Sequence, residues 1–405
     1  MWNFLPIGSS FREDPPNSEC MVSDSFRKIV LIVLLLGISM FTDSHARPYY
    51  YPQIRYISPY SESLGSAVLP IQDEVGNVLM NNPAALARFK GYRAEPLNLG
   101  LNLNSNLLSD GILSSPTSAF TLGGMSSTMN SNVDTPYGLG YSNLSAFSYG
   151  NWAAGILIQE HSRAISDGTN VTYQAINQVI PTIGFGFGFA RNVMRFGYSL
   201  QYVNQTSGTA TAVSDSSASY MSGLAKGSGL SHNVSFNFSL PFTFLPSFSV
   251  VARNLGGLTF SGTRLIPRGT NFSGALDEEP MTIDASFDAL FKITGDFRIR
   301  MMLEYRALNN SVTFPNALEK FNIGMDIPIS RHFGIRAGAM GLTNFSYGVG
   351  YKGDYGEVHL AGYSERTPFS SGGTYESRYA LQFKIRILEQ AKKSEDALSE
   401  VGSKR

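Results

Sequence analysis

The chain has 405 residues, with 31 Lys and Arg against 31 Asp and Glu, so no net field steers it toward nucleic acid or an anionic surface. Charged residues make up 15%, well below the roughly 25% of ordinary soluble domains, while Gly (40), Phe (27) and Tyr (20) are abundant. That balance argues against a nucleic-acid partner and for a sheet-rich protein with little conventional water-facing surface.

Residues 1–46 read as a leader and secretory signal. Met21 is a candidate internal start, Arg27 and Lys28 form a basic region, 29–41 is an apolar core, and Ser44, His45 and Ala46 place cleavage after Ala46. The apolar run is short for a membrane-spanning helix. The only cysteine, Cys20, lies in this leader, so the exported chain has no disulfide scaffold, Cys nucleophile or zinc-thiolate site. A membrane role would then require a β-barrel, since no other apolar run is long enough for a helix.

The stretch 'DEVGNVLMNNPAALARF' (73–89) follows, too short and interrupted for a good helix. From Pro96 onward, segments of about ten alternating apolar and polar residues recur between breaks, the signature of half-buried strands. Fourteen can be drafted: 96–104, 137–149, 151–162, 172–190, 195–206, 232–242, 246–260, 281–292, 296–308, 319–329, 332–341, 343–352, 355–366 and 377–388. Their connections alternate between tight turns and longer polar segments (105–136, 163–171, 207–231, 261–280, 309–318, 367–376), with a tight exception near Gly341 and Leu342. Such asymmetry is that of a transmembrane barrel, with short periplasmic turns and long extracellular loops. Aromatics near strand ends (Tyr137, Tyr149, Trp152, Phe196, Tyr305, Phe333, Tyr363, Tyr379) suggest interfacial girdles. The closing strand 'YALQFKIRI' has an apolar face of Tyr379, Leu381, Phe383, Ile385 and Ile387, of the kind that barrel assembly machinery takes up. A charged tail, 389–405, follows it and is expected to be periplasmic.

If the apolar faces meet lipid, the polar faces line the lumen. On the hairpin 281–308 these are Asp284 and Asp288 opposite Arg298, Arg300, Glu304 and Arg306, a charge ladder that fits either structural ion pairs or a selective ring. Arg253, Asp326, Arg336, Lys384 and Arg386 join the lining. Enzymatic chemistry finds no support. Of His161, His232, His332 and His359, none has metal-ligand spacing and only His359 falls well inside a strand; no nucleophile elbow occurs, and no cofactor is expected. In 'GFGFGFA' (184–190) the strict alternation makes a strand with Phe185, Phe187 and Phe189 on one face and Gly on the crowded one. The long connections carry apolar residues, Leu107, Leu108, Phe120, Tyr220, Met221, Leu224, Leu265 and Ile266, which would either capture a hydrophobic ligand or pack on one another.

The segment 'SLGSAVLPIQDEVGNVLMNNPAAL' (63–86) resembles the N-terminal hatch of the FadL-type long-chain fatty-acid transporter family. The matching positions are Leu64 and Gly65, then Asp73, Gly76 and Asn77, then Asn82, Pro83 and Ala84. The resemblance implies an all-β fold, a transmembrane antiparallel barrel of about fourteen strands with the hatch inside. It divides the chain into leader (1–46), extension and hatch (47–95), barrel (96–388) and tail (389–405). It also implies passive uptake of long-chain fatty acids or other hydrophobic compounds across the outer membrane of a Gram-negative-type bacterium. Ligand would pass from the extracellular loops to a lumen pocket and leave when the hatch moves, with the Asn82-Pro83 region as the stopper. Such a protein would contact outer-membrane lipid and act as a monomer. The alternative is a non-transporting barrel that anchors or shuttles exported proteins.

Overall fold

The computed structural model describes residues 54–109, 129, 132–213, 224–242, 244–261, 275–294, 297–309, 311, 317–342, 344–366 and 375–388; the proposed leader and tail lie outside them. Fourteen antiparallel strands close into one barrel in chain order, with the last paired to the first. They are β1 (Tyr92–Asn104), β2 (Tyr137–Tyr149), β3 (Trp152–Ser166), β4 (Asn170–Phe189), β5 (Met194–Val213), β6 (Ala225–Ser239), β7 (Ser247–Arg253), β8 (Thr282–Thr294), β9 (Phe297–Tyr305), β10 (Phe321–Pro328), β11 (Phe333–Met340), β12 (Asn344–Lys352), β13 (Gly356–Arg366) and β14 (Tyr375–Leu388). The number and order of strands are those expected from the alternation.

Several boundaries differ from the sequence reading: β5 runs on to Val213 and β6 starts at Ala225, which shortens the connection drafted as 207–231, and two further differences have a local cause. The strand drafted as 246–260 stops at Arg253, because Asn254, Gly256 and Gly257 adopt positive φ and turn the chain. Residues 258–261 then lie on the inner side of β6, where Ser261 bridges to Ser228. The connection drafted as 163–171 shrinks to 167–169, because the Asp167 carboxylate accepts the Thr169 and Asn170 N–H groups (2.8 and 2.6 Å) and closes a tight turn.

The wall is inside-out relative to a soluble protein. Inward-pointing Arg163 and Arg253 are 1% exposed, whereas outward-pointing Trp152 and Tyr347 are 64% and 61% exposed. An apolar outer belt around a polar, filled interior is what a barrel in lipid requires, since closure leaves no unpaired edge and the apolar face needs no protein cover. Phe185, Phe187 and Phe189 stack with Trp152, Tyr198 and Phe196 on this outer face.

Residues 54–90 fill the lumen. A short helix, Pro59–Glu62, starts where Ser58 accepts the Ser61 N–H at 3.1 Å and Pro59 takes the first helical position. A second helix, Val75–Asn81, stops at Asn82 because the following Pro83 disfavours helical backbone before it. A 3-10 turn, Pro83–Arg88, then leads to β1. Val75, Val78, Leu79, Leu86 and Phe89 bury against Ala146 and Ala153 of the wall, and Tyr60, Leu64, Ala67 and Ile71 against Met302.

The glycines of the crowded face belong to this fit. A Cβ at Gly197 would stand 2.1 Å from Ala84 N, and one at Gly338 would stand 2.2 Å from Gly65 N, so hatch backbone lies directly on the sheet at both places. Gly197→Val should therefore destabilise the barrel by about 1–3 kcal/mol through overpacking. It should also speed protease cleavage of 63–86. An unchanged denaturation midpoint and cleavage rate would contradict this seat.

Candidate functional site

The hatch is held by charged side chains of the wall acting on its backbone. Glu95 accepts the N–H groups of Val75 and Gly76 (2.8 and 2.9 Å), donors that a helix start leaves without intrahelical partners. Glu304 accepts those of Val68 and Leu69 (2.8 and 2.9 Å). Arg306, 3.0 Å from Glu304, donates to the Ser66 carbonyl at 2.7 Å, and Arg300, 2.9 Å from Asp288, donates to the Pro70 carbonyl. Asp284 pairs with Arg253 of β7 at 2.8 Å, and Arg253 also donates to Asn81 at 3.3 Å. Five of the six expected ladder residues thus pair in and around the hatch seat rather than line an open pore. Arg298 departs from the expectation: it lies at the short-turn rim and is exposed.

The residues matched to the hatch motif tie its parts together. Asn77 donates to the Val68 and Ile71 carbonyls, and Asn82 to the Leu69 carbonyl and Ser249. Ala84 N–H donates to Ser235 at 2.6 Å. Gly65, at φ +67°, donates to Ser346, and a Cβ there would stand 2.4 Å from the Ile323 carbonyl oxygen. Leu64 is fully buried, and Gly76 fits against Leu144. Asp73 sits at the edge, 3.4 Å from Lys352.

A second charged cluster, of which the sequence reading named Lys384, Arg386 and His359 but not the carboxylates that join them, lies between the hatch and β13–β14. Lys384 Nζ is 2.7 Å from Glu74 and 2.6 Å from Glu357, which also pairs with Arg386 at 2.7 Å. Donor atoms of Glu74, Glu357 and His359 come within 4.8 Å of one another, the spacing of a metal site. The Lys384 ammonium touches both carboxylates, so this position already has its cation. Burial raises the Glu74 carboxyl from its ordinary 4.5 to about 7; Lys384 opposes the shift, while Glu95, Glu357 and Asp73 add to it.

On β2–β5 the lumen carries an apolar row. Leu144, Leu157, Ile180 and Val203 form an inward row across β2–β5, in register at Leu144 with Leu157 and Leu157 with Ile180, and all four are fully buried. Tyr56 and Met80 of the hatch and Leu258 and Phe260 of the β7–β8 connection cover the row. On the outer face of the same strands lies an apolar groove of about 720 Å³, bordered by Pro96, Ser145, Ala154, Ile156, Pro181, Leu200 and Tyr202. Strand pairing is irregular there: β1 shifts register on both sides around Pro96, and Pro181 has no N–H to donate.

Several expected positions are reassigned. Leu107 packs with Met129 of the same connection, against Tyr137, Ala164 and Val171 of the wall. These wall residues point outward, so Leu107 and Met129 lie over the outside of the rim. Leu108 is exposed and Leu224 buried, while Phe120, Tyr220, Met221, Leu265 and Ile266 lie outside the described residues. Tyr363 is no girdle residue: it points inward and is 4% exposed. His161 and His232 sit within β3 and β6 because those strands extend beyond the drafted ends.

No family model matches the sequence, and no curated protein is similar to it in sequence. Similar solved structures include the CymD monoaromatic hydrocarbon channel, at 10% identity over 82% of this chain and 97% of that one, with a TM-score of 0.50. Two others are a TodX deltaS2S3 mutant monoaromatic hydrocarbon channel (10%, 81% and 98%, TM-score 0.46) and the Pseudomonas putida toluene transporter TodX (10%, 85% and 99%, TM-score 0.43). The likeness to CymD carries the fold: both chains form the same kind of barrel along nearly the whole length of the channel. A closed fourteen-stranded barrel is also what the FadL-type resemblance implied.

Two outcomes are expected of this seat. Glu304→Ala strips Arg306 of a buried partner and leaves two hatch N–H groups without an acceptor, which should cost about 3–5 kcal/mol in urea unfolding. Because the folded Glu74 carboxyl binds its proton more tightly than the unfolded one, its stabilisation is complete below pH 4.5 and is lost as pH rises through about 7. Over that window the unfolding midpoint of wild type should fall relative to that of Glu74→Gln; parallel profiles would contradict the assignment.

Proposed function

We propose that the protein is a passive outer-membrane transporter for hydrophobic compounds, with the hatch as its movable part. The observation that carries this reading is the pairing of two apolar surfaces across one thickness of sheet: the inner row Leu144–Leu157–Ile180–Val203 and the outer groove at Pro96 and Pro181. Between them the wall has small side chains, Ala146, Ala153 and Ala154, and broken strand pairing around Pro96. A ligand that displaced Met80 and Tyr56 would exchange apolar contact for apolar contact, and a short opening of the wall would release it sideways into the membrane. No side chain needs to form a covalent bond or bind a metal for this passage. The likeness to CymD, a monoaromatic hydrocarbon channel, favours small apolar compounds alongside fatty acids as ligands.

The filled lumen favours a second reading, a non-transporting barrel that anchors other exported proteins, because the hatch and charge ladder leave no open apolar channel through the described residues. Entry of labelled toluene and of labelled oleate into cells that carry the full chain as their sole barrel of this type separates the two. Transport requires entry above that of cells lacking the chain. Ala154→Phe fills the outer groove without touching the lumen and should return entry to that background. Equal entry with and without the barrel would leave the anchoring role as the better reading.

A further inference from the structure

At the short-turn end of β5–β8 the lumen holds a positive charge that its neighbours do not balance. Arg195, the second residue of β5, points inward and is 2% exposed. Arg253, Arg300, Arg306, Arg336 and Arg386 each have a carboxylate partner. Arg195 instead donates to the neutral Ser239 hydroxyl at 2.6 Å, and its Nε has no partner. A guanidinium held away from water without an opposite charge costs stability, and an anion from solution is the partner that would offset it.

The neighbouring side chains are unpaired as well. Register places Asn237 of β6 beside Arg195, Ser249 of β7 beside Asn237, and Ser286 of β8 beside Ser249. Asn237 is fully buried with neither amide atom hydrogen-bonded, and the buried Ser286 hydroxyl has no partner either. The hatch adds a second cation. A Cβ at Gly186 would stand 2.7 Å from Ala87 N, and Gly188, the next inward residue of β4, pairs with Arg195, so Arg88 follows at that level. Arg88 is exposed and donates to Gln72 at 2.9 Å. Arg88, Arg195 and Arg300 all act on Asp288, so three cations share one carboxylate. Arg300 takes its Oδ2, while its Oδ1 has no partner. Asp73, the other carboxylate that acts on Arg300, is paired with Lys352.

We propose that this floor beneath the hatch is a binding site for hydrogen phosphate, bridged between Arg195 of the wall and Arg88 of the hatch. The unpaired groups match that anion in both senses. Arg195 Nε, Asn237 Nδ2 and Ser286 Oγ donate to its oxygens, and Asp288 Oδ1 and Asn237 Oδ1 accept its remaining proton. Sulfate has the same shape but no proton, so it leaves both acceptors unpaired and meets the carboxylate as a like charge. The row points into the lumen, away from lipid, so the anion enters from solution at the short-turn rim, where Arg88 is exposed and Ser239 half-buried. A bound anion would tie hatch to wall at a point where no side chain of either does so by itself.

Thermal unfolding of the full chain in detergent, followed by heat-modifiable mobility in gels, tests the site in potassium phosphate, sulfate and chloride at equal ionic strength and neutral pH. Phosphate should raise the wild-type midpoint by several degrees over chloride and by clearly more than sulfate does, as a ligand bound only by the folded state must. Arg195→Gln removes the unbalanced charge, so its midpoint in chloride should equal or exceed that of wild type while the phosphate-dependent rise is lost. Arg88→Gln should reduce that rise by at least half. No rise in wild type, or an equal rise in Arg195→Gln, would overturn the site, and a rise as large in sulfate would overturn the choice of a protonated anion. A lower midpoint of Arg195→Gln in chloride would mark a structural arginine and overturn the proposal too.

Discussion

Everything inside this barrel depends on buried carboxylates of the wall accepting hydrogen bonds from the hatch backbone. Ionised groups held away from water cost several kcal/mol each unless hydrogen bonds and opposite charges compensate them. Glu95 and Glu304 obtain that compensation from two N–H groups apiece, while Arg300 and Arg306 obtain it from hatch carbonyls. The dependence runs both ways, because those same peptide groups lie in irregular or end-of-helix backbone with no ladder of their own. Wall and hatch each complete the other's hydrogen bonding, so an empty lumen would be the less stable state.

The seat has two unlike sides. Toward β4 and β5 the hatch lies close enough for glycines to be required, and its Met80 and Tyr56 cover an aliphatic row. Toward β13, β14 and β1 it meets charges and cavities, with Lys384 shared by Glu74 and Glu357. Apolar contacts are non-directional and can be exchanged for a ligand at little cost, whereas charge-assisted hydrogen bonds are directional and hold position. The charged side therefore fixes the position of the hatch, while the apolar side contributes contacts without direction.

Strand number, strand order and the lipid-facing side were legible in the sequence, because period-two alternation is local and survives whatever the strands later pack against. Even Tyr363, mistaken for a girdle residue, could have been placed by parity with Val358 and Leu360, which point outward. The end of β7 was harder: alternation continues past Arg253, and only the positive-φ turn at Asn254 to Gly257 ends the strand. The hatch motif located the plug, and the inward charges of 281–308 located half of its seat.

The other half came from contacts that local pattern does not encode. Glu304 meets Val68 and Leu69 more than 200 residues away, and Lys384 meets Glu74 across a similar separation. Glu95 precedes the irregular pairing at Pro96, where alternation loses its phase. Leu107 was legible as apolar but not as folding outward over the rim, since an apolar side chain is satisfied by any apolar surface that the chain can reach. The sequence by itself thus determined a closed barrel with a plug, through local periodicity and backbone preference. Only the tertiary structure decided which charges grip the hatch, and where the lumen is apolar and where it is charged, because those depend on barrel closure bringing distant residues to one level.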